Sequence, residues 1–171
     1  MPFLDTLHAY FRGEKLEALW FILPMGLLLL ALALVALKVE HGGFAWGVAV
    51  PCALFGLVAL VTGGVVASRT DAQVAALERR YTEAPAAMAQ AELPRMEQVN
   101  ADFRRYFVGF AALAAVGLAL VTAVQSGWAR GLGPALLLIG ALGFLVDGFA
   151  SRRAVPYTAA LEALAGRGAG R

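Results

Sequence analysis

An all-α bundle of four membrane-spanning helices is the fold class this sequence predicts, and three observations predict it. The chain is 60% hydrophobic and 15% charged over 171 residues, with a mean hydropathy of +0.72, whereas a soluble domain is closer to half apolar and a quarter charged. The apolar excess falls in four blocks, each close to the roughly 20 residues that cross about 30 Å of hydrocarbon as a helix. Twelve of the fourteen lysines and arginines lie before the first block, between the second and third, or after the fourth.

Taken in order, residues 2–11 (PFLDTLHAYF) set Phe3, Leu4, Leu7, Tyr10 and Phe11 at helical spacing. That pattern reads as an amphipathic helix, either an ordinary lead-in to the first span or a short helix lying on the membrane ahead of it. The first span covers about 18–37, uncharged and leucine-rich, with Trp20 near its start where an indole favours the interface. Pro24 removes a backbone donor and predicts a kink in the opening turns. Lys38, Glu40 and His41 then form a polar turn with Gly42 and Gly43.

The second span covers about 44–68. Cys52, Gly56, Ala59, Gly63 and Ala67 fall on one helical face, and in lipid such small-residue faces let a second helix approach closely. Residues 69–105 are the one long polar segment, predicted as a helical hairpin on the membrane surface. Thr70 reads as an N-cap for a helix over 71–81, and Pro94 as the first turn of another that enters the third span. The third span, about 106–124, carries a stripe of Ala112, Ala115, Ala119 and Ala123. A turn over 125–133 leads to the fourth span, about 132–150, which holds Gly140 and Gly143. The tail is expected to be helical over 157–164 and frayed over 166–171.

Four spans put both termini on one side. The twelve basic residues there stand against Lys38 and Arg130 in the opposite turns. The positive-inside rule therefore places the termini and the middle segment in the cytoplasm of an inner membrane. The two halves also echo one another. Phe11-Arg12 and Phe103-Arg104 precede the hairpins, Ala67-Ser68-Arg69 and Ala150-Ser151-Arg152 follow them, and each half then carries Ala-Ala-Leu-Glu, ending at Glu78 and Glu162. Such matches read either as a parallel repeat of two hairpins or as the chance matches that an alanine-rich chain produces.

Several functions are disfavoured. A net charge of +2 is too small to argue for a nucleic-acid partner, and Cys52 as the single cysteine excludes an intrachain disulfide and a cysteine-rich metal site. His8 and His41 stand at opposite ends of the first span and cannot share a metal or haem. The charge-balanced stretch before the first block does not read as a secretory signal. No phosphate loop, dinucleotide motif, zinc-protease motif or nucleophile elbow is present, so no cofactor is expected, and a metal is left undetermined.

Asp147 is the leading candidate residue, because an ionisable group in a span costs roughly 2.5–3.5 kcal/mol at mid-helix on insertion scales. It precedes Arg152 by about 7.5 Å of helix axis and shares a face with Gly140, Gly143 and Ser151. It reads either as a proton or cation site or as a structural carboxylate paired with Arg104, Arg105 or Arg152. Glu14 and Glu17, one turn apart at the start of the first span, form the second candidate. Paired carboxylates can share a proton or bind a cation, and acids also simply suit a helix N-terminus. Arg69, Arg104, Arg105, Arg152 and Arg153 read as charge partners, lipid-phosphate ligands or topology determinants. Gly56, Gly63, Gly140 and Gly143 read as helix-packing positions.

The expected function is a non-enzymatic membrane protein, assembling in the bilayer through these small-residue faces as a homo-oligomer or an accessory subunit. The alternatives are an oligomeric channel or transporter with Asp147 and Glu17 beside a proton or cation path, and a lipid-acting enzyme using Glu14, Glu17 and Asp147.

Overall fold

The computed structural model describes the backbone of residues 3–169 and the side chains of residues 3–166. The side chains of Arg167 and Arg171, and the last residues of the expected frayed tail, lie outside the described residues. The fold is an all-α bundle of four helices: α1 Phe3–Val39, α2 Gly43–Glu83, α3 Pro85–Ala123 and α4 Gly127–Ala169. All four are long and apolar enough to cross a membrane. Each has 37 to 43 residues, roughly 55–65 Å, about twice the hydrocarbon thickness. Every helix therefore has an apolar half and a polar half, and the four polar halves lie at the same end.

The breaks between helices are short, and each has a local cause. Glu40 (φ −139°, ψ 143°) leaves the helical region and ends α1, and Gly42 is extended before α2. Ala84 (φ −153°, ψ 83°) alone separates α2 from α3. Proline drives the preceding residue out of the helical region and favours the first helical position, so Pro85 both ends α2 and starts α3. Val124 is extended after α3, and the Ser126 hydroxyl caps α4 by accepting from the Ala129 N–H at 3.3 Å. The result is two hairpins, α1–α2 and α3–α4, of matching form, joined chiefly through α2 and α4.

Several expected boundaries move. The helices predicted over 71–81 and from Pro94 are parts of α2 and α3, which run unbroken through Thr70 and Pro94. Thr70 caps nothing; its hydroxyl donates to the Val66 carbonyl one turn back, at 2.6 Å. The turn expected over 125–133 shrinks to 124–126, and α4 passes through 157–164 without a break to Ala169. Pro24 does not simply kink α1. Its missing N–H leaves the Trp20 carbonyl without an i+4 donor, and the chain answers with a π turn over Ala18–Ile22, where the Leu23 N–H reaches back to the Ala18 carbonyl.

Residues 3–17 lead straight into the first span, the first of their two readings, whereas the surface hairpin expected over 69–105 is corrected. These segments do not lie flat. They stand as extensions of the spans, joined by the polar half of α4, and pack around Phe3, Leu7, Tyr10, Phe11, Met96 and Tyr157. Tyr10 stacks on Tyr157 with ring centroids 4.7 Å apart, and Phe11 meets Tyr157 edge-on at 5.8 Å. The aromatic face of residues 3–11 is thus covered by protein and not available to a bilayer.

In the apolar half the core is made of smaller groups: Leu29 and Ala33 of α1, Ala49 and Cys52 of α2, Ala135 and Ile139 of α4. A Cβ on Gly56 would stand 2.9 Å from the Gly26 carbonyl oxygen, and one on Gly117 2.7 Å from that of Gly133. Each hairpin is therefore closed by a glycine–glycine crossing. The stripe expected on α2 faces α1. The stripe expected on α3 does not pack, because Ala112, Ala115, Ala119 and Ala123 are all exposed. α3 turns Phe110, Ala114 and Gly117 toward α4 instead.

Candidate functional site

Where the two halves of the bundle meet, α1, α2 and α4 bring charged side chains together. Arg153 of α4 donates through Nη2 to Glu17 Oε2 in a short ion pair. Gly13 makes room for it: a Cβ there would meet the Arg153 Nε at 2.8 Å. Arg69 of α2 reaches Glu14 Oε1 at 3.4 Å, and Lys15 Nζ binds Asp71 at 2.6 and 2.8 Å. Glu17 is only 7% exposed. Removing one member of a buried pair strands the other, typically at a cost of about 3–5 kcal/mol, so this pair fastens α1 to α4.

Three polar atoms in this belt are buried without a hydrogen-bond partner: Glu14 Oε2, Arg153 Nε and Asp147 Oδ2. Asp147 differs from the other two because no part of its carboxylate enters an ion pair among the described residues. The staple expected with Arg104, Arg105 or Arg152 is absent: Arg105 binds Asp102 at 2.9 Å, while Arg104 and Arg152 are exposed and in no ion pair among the described residues. Arg69 and Arg153 are thus taken by Glu14 and Glu17, and Asp147 is left without a counter-charge in an ion pair among the described residues.

Asp147 also lines a crevice of about 210 Å3 to which all four helices contribute, through Met25 and Leu29, Phe55 and Thr62, Phe110, and Ile139 to Val146. Apart from Asp147, Thr62 supplies the one hydroxyl or charged side chain in its wall. A second groove, about 390 Å3, runs between the polar halves of α1 and α2. Two contacts cross it, His8 to Glu78 at 2.5 Å and Lys15 to Asp71 at 2.6 Å, while Arg12 in its wall is exposed and enters no ion pair among the described residues. The smaller crevice differs in that the charged group in its wall carries a carboxylate oxygen buried without a partner.

The packing glycines act within the chain. Gly56 and Gly63 face α1, Gly63 against Ile22 and Leu23, while Gly140 and Gly143 face Phe110 of α3. Among the described residues no three of His, Cys, Asp and Glu gather as metal ligands. A polar cluster in the polar half escaped the sequence reading: Glu92, 8% exposed, binds Arg95 and accepts a 3.4 Å hydrogen bond from the Tyr157 hydroxyl. Burial, and next the charge of Glu14, push Tyr10 up to about 12, and burial with the Glu92 charge raises Tyr157 further. Both phenols stay neutral and serve as core. The Glu92–Arg95 spacing of three residues was the available signal, but nothing in the sequence placed Tyr157 beside it.

No protein-family model, curated protein or solved structure matches this chain.

Proposed function

We propose that the chain is a small channel or transporter of the inner membrane, with its polar half and both termini in the cytoplasm and Asp147 as the point where a proton or cation is held. One observation carries the reading: Asp147 Oδ2 is buried without a partner in a crevice walled by all four helices. A carboxylate within a span is costly and is normally matched by a cation or backbone donors. Here no cation pairs with it among the described residues, since Arg69 and Arg153 are taken by Glu14 and Glu17, and the carboxylate is open to an arriving positive charge. The cytoplasmic orientation rests on the clustering of basic residues at the polar end. In proteoliposomes, the wild type is expected to carry proton or monovalent-cation flux and Asp147→Asn to reduce it at least tenfold. A wild type without flux sinks the reading.

A second reading, an accessory subunit or homo-oligomer without transport of its own, is favoured by α3. Only 6% of its most apolar stretch is buried, against 44% for α2, and Ala112, Ala115, Ala119 and Ala123 present an exposed small-residue face of the kind that packs helices in lipid. The stripe on α2 is consumed inside the chain, so assembly would run through α3. Under this reading Ala115→Leu breaks a complex seen in mild detergent, and unchanged migration counts against it.

A further inference from the structure

We propose that the Asp147 crevice takes an amphipathic organic cation, an ammonium group carried on a short aromatic or aliphatic body. The proposal rests on the cation reading above and narrows it to a chemical class.

The walls decide between kinds of cation. A bare divalent ion seeks six or more oxygen ligands, and a hydrated one needs hydrogen-bonding partners for its waters. The crevice offers the Asp147 carboxylate and the Thr62 hydroxyl, and its other side chains are hydrocarbon, aromatic or thioether. Inorganic cations are therefore poorly served. An alkylammonium is well served, because one carboxylate balances its charge while its body needs only apolar contact. Phe55 and Phe110, from α2 and α3, supply aromatic rings in the wall, and ring faces attract ammonium groups. Size agrees with a small body. A dry cavity of about 150 Å3 accepts benzene, so 210 Å3 admits one ring and a compact ammonium head. Charge agrees as well. Glu17 is held by Arg153 and Glu14 by Arg69, so Asp147 is the acid left to pair with an incoming charge.

The test is calorimetric titration of the purified full chain in mild detergent with benzyltrimethylammonium, and with neopentylbenzene as its uncharged isostere. Saturable binding to the wild type is expected, weakened at least tenfold by Asp147→Asn and retained in part by Asp147→Glu. The isostere should bind at least tenfold more weakly than the cation. Val58→Phe, which fills the wall with the carboxylate in place, should weaken binding too, and unaltered elution and melting of each variant will show that the fold survives. Equal binding to Asp147→Asn, or equal binding of the isostere, overturns the proposal. Proton flux that is lost in Asp147→Asn, with no benzyltrimethylammonium binding to the wild type, overturns this ligand class and leaves the cation path standing. Failure of both readouts removes the cation path as well.

Discussion

The polar and apolar halves of these four helices bury different mixtures of side chains, aromatic and methionine-rich in the first and mostly small in the second. At the polar end the core is large: Phe11, Leu7, Met96, Tyr157 and Leu161 are each at most 1% exposed. At the apolar end most enclosed positions are small, Cys52, Ala49, Ala33 and Gly56 among them, with Leu29 and Ile139 beside them and no aromatic ring enclosed. The big residues there turn outward, with Leu28 70% and Leu34 63% exposed. The same chain, in the same four helices, changes its packing rule partway along. In water, burying a large apolar group is favourable in proportion to the area removed from solvent. In hydrocarbon that gain vanishes, since lipid tails are as apolar as leucine, and helices are held by close backbone approach instead. The place where the rule changes is the belt of Glu14, Glu17, Asp147 and Arg153.

Truncating one large side chain in each half gives the widest contrast. Phe11→Ala opens a cavity in the polar core and is expected to cost about 3–5 kcal/mol. Leu28→Ala, at the apolar end, removes a group that lipid or detergent replaces, and is expected to change stability by less than about 0.5 kcal/mol. Denaturant titration of both variants in the same micelle, followed by helical circular dichroism, measures the difference. Equal losses would mean that the two halves share one packing rule.

That contrast also explains what could be read from the sequence. The four apolar blocks were legible because crossing a bilayer requires a continuous run, which is a one-dimensional signal. The amphipathic face of Phe3, Leu7, Tyr10 and Phe11 was legible too, but not its cover. A periodic face says that something apolar lies against it, and the polar ends of three other helices serve as well as a membrane. Pro94 reads as a helix start in the sequence, but the helix starts at Pro85. Both suit a helix start, yet only Pro85 follows a residue driven out of the helical region. Asp147 was found by its chemistry, while its lack of a partner was hidden. Which arginine meets which acid depends on helix rotation: Arg153 reaches Glu17, and its neighbour Arg152, about 100° around the helix, faces solvent. On α3 the alanine spacing marked a face that packs on no helix of this chain, because alanine suits a packed face and a lipid face equally.

Two glycines of α2 bring the contrast down to a single methyl group. A Cβ on Gly56 would stand 2.9 Å from the Gly26 carbonyl oxygen and 3.2 Å from the Leu29 Cβ, whereas one on Gly64 meets nothing within 4 Å. Gly56→Ala must push α1 and α2 apart, and the loss of close packing is expected to cost about 1–3 kcal/mol. Gly64→Ala touches no neighbour and removes a residue that disfavours helix, so it is expected to gain up to about 1 kcal/mol. The same substitution, two helical turns along one helix, should therefore change sign. Thermal melting of the two variants beside the wild type reads that sign directly. A loss at both positions would mean that α2 is held by something other than its approach to α1, and the glycine–glycine crossing would then be an incidental contact and not the fastening of the first hairpin.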